Sequence, residues 1–450
     1  MAAPAPALPV PSAPTRPSRP AHRDGNVLRW LLAYTASLVG DGVYFVALGW
    51  AAQKVADPAG VGFVMATGAV PRALLMLGGG VLADRVDPRR IVLGSDAVRC
   101  VLVLGVAGAV ALTSPALWLL VCVALVFGTV DALFVPAVGA LPPRLTRPEE
   151  FARVIGMRSL AMRLSQVAAP PLAGLALGLG GVPVAFAAAG VLFAGSLPLL
   201  FSLRIRPPAA PAVARAEPGS LRSELLDGLR YIRRHPLVRP LVLALALCEL
   251  GLSSTLNVGL LLLNAERGWG PSGYGWIVGA FGAGAAAGAA LLTVVGWVPR
   301  AGLVLSGALG IACASAAVLG SVPVLGVAAG CAAFTGLAAG TAGSLDNSLL
   351  QNAADPAYLG RVTSVVMLTM VGLAPLSYPV VGAAIGVWGA GPVFVGTAAF
   401  SACGTAYLLL SPAARRARLP RPAPRTPPAP PGRASADERS RSAARRCTRS

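Results

Sequence analysis

Gly80-Val-Leu-Ala-Asp84-Arg85-Val-Asp87-Pro-Arg89-Arg90 decides how this chain is read. Five charges fall within the seven residues from Asp84 to Arg90. On either side runs an apolar stretch long enough to cross a bilayer, which takes roughly 20 residues per helix. Two spans joined by a tight charged turn describe a membrane protein, and a charged clamp between spans points to a hinge or lock.

Composition agrees. The 450 residues are 55% hydrophobic and 12% charged, with a mean hydropathy of +0.70. Soluble domains are about one quarter charged. Only helices and closed barrels satisfy their backbones in lipid, and the apolar runs are continuous rather than alternating, which selects helices. A formal charge of +19 from 37 basic residues would suit a nucleic-acid partner. These arginines lie mostly in loops and tails, so no nucleic acid is expected. The seven cysteines show no paired spacing, and His22 and His235 fall outside the spans. No metal, cofactor or disulfide framework is therefore expected.

Apolar runs predict an all-α polytopic membrane protein of about twelve transmembrane helices in two pseudo-symmetric six-helix bundles. The spans are read at 27–51, 60–82, 91–112, 115–140, 152–178, 181–203, 237–264, 272–297, 301–320, 323–350, 361–386 and 392–411. Residues 1–26 read as a disordered tail without a signal-peptide core. Residues 27–203 form the first bundle, and 204–236 a linker with a short amphipathic helix near Leu221–Arg234. Residues 237–411 form the second bundle, and 412–450 a disordered basic tail. With both termini cytoplasmic, every inner loop carries arginine, whereas the outer loops carry Lys54 and Arg267. Positive charge stays inside, so a multi-pass plasma-membrane protein is expected.

Charged groups within the bilayer are costly and mark function; the alternative for each is a structural ion pair. Asp41 and Glu249 lie about twelve residues inside spans one and seven, near the midplane at 1.5 Å per residue. Asp131 lies in span four, and Asp346 near the inner end of span ten. Burial disfavours the charged form of a carboxylate, which gives proton coupling a physical basis. Asp41, Glu249, Asp131 and Arg72 are the candidates for it, with Asp41 expected to pair with Arg72 on the neighbouring span. Asp96 and Arg99 open span three and are expected to extend the charged turn of Asp84 and Arg85. Arg158 is read as snorkelling, while the role of Arg163 stays open. The Gly279–Ala290 run is read as close helix packing rather than a nucleotide loop, since no Lys-Ser/Thr follows.

The opening stretch resembles the loop signature of the major facilitator superfamily, G-x-x-x-D-R-x-x-x-R-R, through Gly80, Asp84, Arg85, Arg89 and Arg90. Ala169-Pro170-Pro171-Leu-Ala173-Gly174 is similar to the helix-bending motif of its antiporters, with alanine at two glycine positions; a kink at Pro170 and Gly174 is expected. Asp346 through Gly360-Arg361-Val362 looks like the ten-to-eleven loop of the macrolide-efflux-type branch. The resemblance implies alternating access, a cavity lined by spans one, four, seven and ten, and a cytoplasmic gate. In that gate Asp84 faces the start of span eleven at Gly360 and Arg361, with Asp96 and Arg99 in the same network.

The function expected is proton-coupled efflux of drug-like or natural-product small molecules by a monomer. The alternatives are an importer or siderophore exporter on the same scaffold, or a non-transporting scaffold or sensor. An enzyme is not expected, because no histidine or HExxH lies in any span.

Overall fold

The computed structural model describes residues 21–78, 87–204, 221–296 and 298–419. Three helices begin at an Asp-Pro dipeptide. Asp57, Asp87 and Asp355 each accept a backbone N–H of the first turn, and the proline that follows takes a position where no donor is needed. Asp24 caps the first helix by accepting from the Asn26 N–H at 2.9 Å.

The first bundle contains α1 (Gly25–Gln53), α2 (Pro58–Thr67), α3 (Ala69–Gly78), α4 (Pro88–Leu112), α5 (Leu117–Gly139) and α6 (Phe151–Phe201). A linker helix, α7 (Leu221–Arg234), follows. The second bundle contains α8 (Val238–Arg267), α9 (Gly270–Val295), α10 (Ala301–Ser321), α11 (Leu325–Ala353), α12 (Pro356–Leu368), α13 (Tyr378–Trp388) and α14 (Ala390–Leu410). Nine described helices are long and apolar enough to cross a bilayer. The 51-residue α6 breaks at Gly180 (φ −162°) and Gly181 (φ 69°), and so crosses twice. The interrupted pairs α2/α3 and α12/α13 supply the remaining spans, giving twelve. The second bundle also holds the π-helical turns, at Glu249–Ser253, Thr255–Gly259 and Thr369–Leu373.

Two expectations are corrected here. At Pro170 and Gly174 the backbone dihedrals stay helical, and the break in α6 is at Gly180–Gly181, where Gly181 takes a left-handed φ that side chains resist. Gly360 and Arg361 do not start span eleven. Asp355-Pro356 does, which puts them in its second turn.

Apolar side chains gain little by leaving lipid for each other, so close backbone approach holds such bundles together. Gly284 and Gly336 are the clearest case. A Cβ on either would collide with a carbonyl oxygen of the facing helix, Ala333 for the first and Phe281 for the second. This bears on the glycine run in α9, which packs on α11.

One end of the molecule is basic. Arg89, Arg144, Arg233, Arg234, Arg300 and Arg415 lie there, while the opposite end is built of short turns that include exposed Lys54. The bundles seal against each other towards that opposite end. Gln53 donates to the Leu261 carbonyl at 2.8 Å, and Trp50 meets Tyr274 edge-on at 6.4 Å. Gly62 lies under the Tyr378 carbonyl and Gly382 under that of Pro58, both too close to admit a Cβ. Gly174 and Pro170 form the matching contact of α6 with Gly275 and Pro271 of α9.

Candidate functional site

Arg99 is the centre of the site. It lies eleven residues into α4, about 16 Å from that helix's start, and is wholly buried. Its Nη2 donates to Asp131 Oδ1 on α5 at 2.9 Å, and its Nη1 to Asp41 Oδ1 on α1 at 3.2 Å. Asp96, one turn earlier on α4, lies 3.6 Å from the same Nη1. Aromatic rings close the remaining sides: the guanidinium carbon is 4.1 Å from the Phe134 ring centre, 5.4 Å from Phe127 and 5.8 Å from Phe193. A planar, weakly hydrated guanidinium tolerates such a setting better than an ammonium.

Each carboxylate is held differently. Asp131 takes two guanidinium contacts, since Arg72 Nε on α3 lies 3.1 Å from its Oδ2. Asp96 is wholly buried, and its Oδ2 accepts from the hydroxyls of Ser37 on α1 and Ser196 on α6, both at 2.5 Å. Asp41 has one contact, with Arg99, and its side chain is the most accessible of the three, at 15% against 8% for Asp131 and 0% for Asp96. Three carboxylates thus face two guanidiniums, leaving one negative charge in excess. Leaving a buried charge unbalanced costs several kcal/mol, so binding one proton neutralises the cluster at a physical gain.

Several sequence expectations change. Arg72 pairs with Asp131 rather than Asp41, because Arg99 occupies the space beside Asp41. Asp96 and Arg99 join this midplane cluster, while Asp84 and Arg85, with which they were expected to form a network, lie outside the described residues. Asp96 and Arg99 looked shallow because the helix was expected from residue 91, whereas Asp87-Pro88 starts it earlier. Sequence reasoning missed Ser37, Ser196 and the three phenylalanines. The signal for them was a carboxylate and an arginine spaced i, i+3 at mid-depth, which must find partners on neighbouring helices.

Glu249 lies in the first π-helical turn of α8. Asp346 is buried on α11. Neither forms an ion pair among the described residues. Further along α8, hydroxyls pair across helices: Ser254 with Ser377, and Thr255 with Thr397 at 2.7 Å. Arg158 lies 5.4 Å over the Tyr34 ring. No group of metal-binding side chains occurs among the described residues.

Of the charged turn, Gly80, Asp84 and Arg85 lie outside the described residues. Asp87 caps α4 and meets Arg144 at 3.4 Å. Arg89 donates to the Phe201 carbonyl at the end of α6, and Arg90 is exposed. These contacts stay within the first bundle. Gly360 is open to its surroundings, while the Arg361 backbone packs against Gly228 of α7.

Residues 30–376 match the family model described as Major Facilitator Superfamily. Enterobactin exporter EntS of Escherichia coli O1:K1 / APEC is 30% identical over 337 residues, covering 74% of this chain and 77% of that protein. The same holds for the exporter of Shigella boydii serotype 18 (strain CDC 3083-94 / BS512). Among solved structures, a bacterial homologue of the human lysosomal transporter Spinster, inward-facing and occupied, superposes with a TM-score of 0.68 at 15% identity. It covers 88% of this chain and 97% of its own. The nucleoside transporter NupG gives 0.65 at 12% identity, covering 85% and 98%. With twelve spans in two bundles and this family match across most of its length, the chain is a transporter of the major facilitator superfamily.

Proposed function

We propose that the chain exports small natural-product or drug-like molecules in exchange for protons, by alternating access in the plasma membrane, with both termini and the basic end in the cytoplasm. The observation that carries this reading is the midplane cluster with one carboxylate in excess of its guanidiniums. Asp41 is the proton carrier: it is held by one contact and is the most accessible of the three. When Asp41 binds a proton its pairing with Arg99 weakens, while Arg99 keeps Asp131 and the hydroxyl-anchored Asp96. Arg72 and Asp131 fix the geometry. Glu249 faces the exchange from the other bundle as a polar contact for substrate. The Gly80–Arg90 turn, with Gly360 and Arg361, serves as the cytoplasmic gate. The carrier acts as a monomer, without a cofactor and without catalysis.

A second reading, siderophore export, is favoured by the 30% identity to the enterobactin exporters. One experiment addresses both. Purified protein in liposomes containing a pH-sensitive dye is given an inward proton gradient with enterobactin, a macrolide or neither. Substrate-dependent proton movement that is lost in Asp41→Asn is the expected result. Proton movement unchanged in Asp41→Asn would refute the assignment, and the substrate that elicits it separates the two readings.

A further inference from the structure

Linker helix α7 has two faces of opposite character. On one, Gly228 sits against the Arg361 backbone so closely that a Cβ would lie 3.0 Å from its carbonyl oxygen. Ile232 is 3% exposed and belongs to a core cluster with Val238, Leu241 and Val362. The Tyr231 ring stacks on Tyr358 at 4.5 Å, and its hydroxyl accepts the Asp355 N–H at 3.0 Å. This face is bolted to the first turns of α8 and α12, where two spanning helices leave the bilayer.

No contact from another helix with this other face occurs among the described residues. At 100° per residue, Leu226, Leu229, Arg230 and Arg233 fall within one third of the helix circumference, with Arg234 at its edge. Leu226 is 51% and Leu229 47% exposed. The Arg230 side chain is 65% exposed and carries the face's one described ion pair, with Asp227 at 3.3 Å. Arg233 and Arg234 are exposed. Leucines between arginines, on a helix fixed at the level of the membrane surface, match an interfacial helix whose apolar side chains enter the headgroup layer.

We infer that this face of α7 is a binding site for anionic phospholipid in the leaflet at the basic end. The guanidiniums take the phosphates, and Leu226 and Leu229 reach the upper acyl chains. The chain's own tails do not fit this face. Residues 412–450 have Asp437 and Glu438 as their only acids against many arginines, and the first 23 residues have none. The occupant is therefore anionic and external, and the bilayer is where the helix is held. The site goes beyond the transport reading and stands whether or not protons drive export.

The test uses the full-length protein in nanodiscs of phosphatidylcholine with roughly a quarter phosphatidylglycerol, a composition with appreciable surface charge. Lipids retained after extraction are counted by mass spectrometry. The wild type should retain phosphatidylglycerol selectively. Each arginine changed to glutamine among Arg230, Arg233 and Arg234 should reduce that preference about five-fold, and Leu226→Ser with Leu229→Ser should weaken it further. Removing two arginines elsewhere at the basic end, as Arg415→Gln with Arg416→Gln, should leave it unchanged. The single Arg233→Gln variant keeps the test valid if the triple variant fails to fold. Equal retention of both lipids by the wild type, no loss in either arginine variant, or an equal loss in the Arg415/Arg416 control would overturn the inference. So would displacement of lipid by polyuridylate at matched charge, since the face would then be a general polyanion surface.

Discussion

Both bundles place carboxylates deep in the membrane region, and they treat them in opposite ways. In the first, Asp41, Asp96 and Asp131 surround one buried guanidinium, and Asp131 also holds a second, that of Arg72. In the second, Glu249 and Asp346 have no ion pair among the described residues, and the side-chain contacts between helices are hydroxyl pairs such as Thr255 with Thr397. The backbone follows the same division. The helices that build the charge cluster are regular α-helix at Asp41, Arg99 and Asp131, while α8 carries two π-helical turns and the α12–α13 span a third. Such turns leave backbone groups loosely paired and occur often at functional sites. One bundle therefore fixes charge and the other supplies adaptable shape.

The largest effect should come from breaking the charge cluster. Arg99→Ala leaves three carboxylates around an empty space and should destabilise the protein by about 3–5 kcal/mol. It should be visible as a lost or strongly lowered melting transition in detergent. An equal loss from Glu249→Ala would erase the distinction between the bundles.

The next contrast is functional. A pH step of one unit is worth about tenfold accumulation per coupled proton, ~1.4 kcal/mol. In liposomes, Asp41→Asn should lose this uphill accumulation while keeping downhill flux. Glu249→Gln should keep the pH-driven accumulation and change the substrate concentration needed. The reverse pattern would move proton handling into the second bundle.

Where the bundles touch, Gly62→Ala and Gly382→Ala should each cost about 1–3 kcal/mol through overpacking. They should also shift spin-label distances across the opposite end towards separation. Gly307→Ala, with nothing within 4 Å of the new methyl, should leave those distances as they are.

The smallest effect concerns the entry to α8. His235 Nδ1 accepts from the N–H groups of Leu237 and Val238 at 3.3 and 3.1 Å, so the bonds need an unprotonated nitrogen. Burial pushes the imidazole below its ordinary value. The unfolded chain then binds the proton more readily than the folded one. Stability from this cap is complete above about pH 6.5 and declines as pH falls through the folded value. The melting temperature of the wild type should therefore drop more steeply below pH 6.5 than that of His235→Asn, whose amide oxygen can accept at any pH.

Much of the architecture was legible because lipid imposes one rule, that backbone groups pair within the segment. Apolar length then marks spans, while the Asp-Pro caps that start three of them went unread. The cluster was half legible. Asp41, Asp131, Arg72, Asp96 and Arg99 all stand out as charges in apolar runs, but which of them meet depends on helix rotation. A start misplaced by three residues at Pro88 hid the depth of Arg99 and handed Arg72 the wrong partner. Ser37 and Ser196 were illegible, because a serine in a helix looks the same whether it faces lipid or a carboxylate.

Lys54 gives this fold an unplanned use. It is the chain's one lysine, and it sits exposed in the short turn after α1, at the end away from the arginines. Its ε-amine is thus a single chemical beacon for sidedness. An impermeant amine-reactive ester applied to intact cells should biotinylate the protein once, at this turn, and Lys54→Arg should abolish the mark. Lys54 labelling confined to inverted vesicles would mean that the whole molecule sits the other way up.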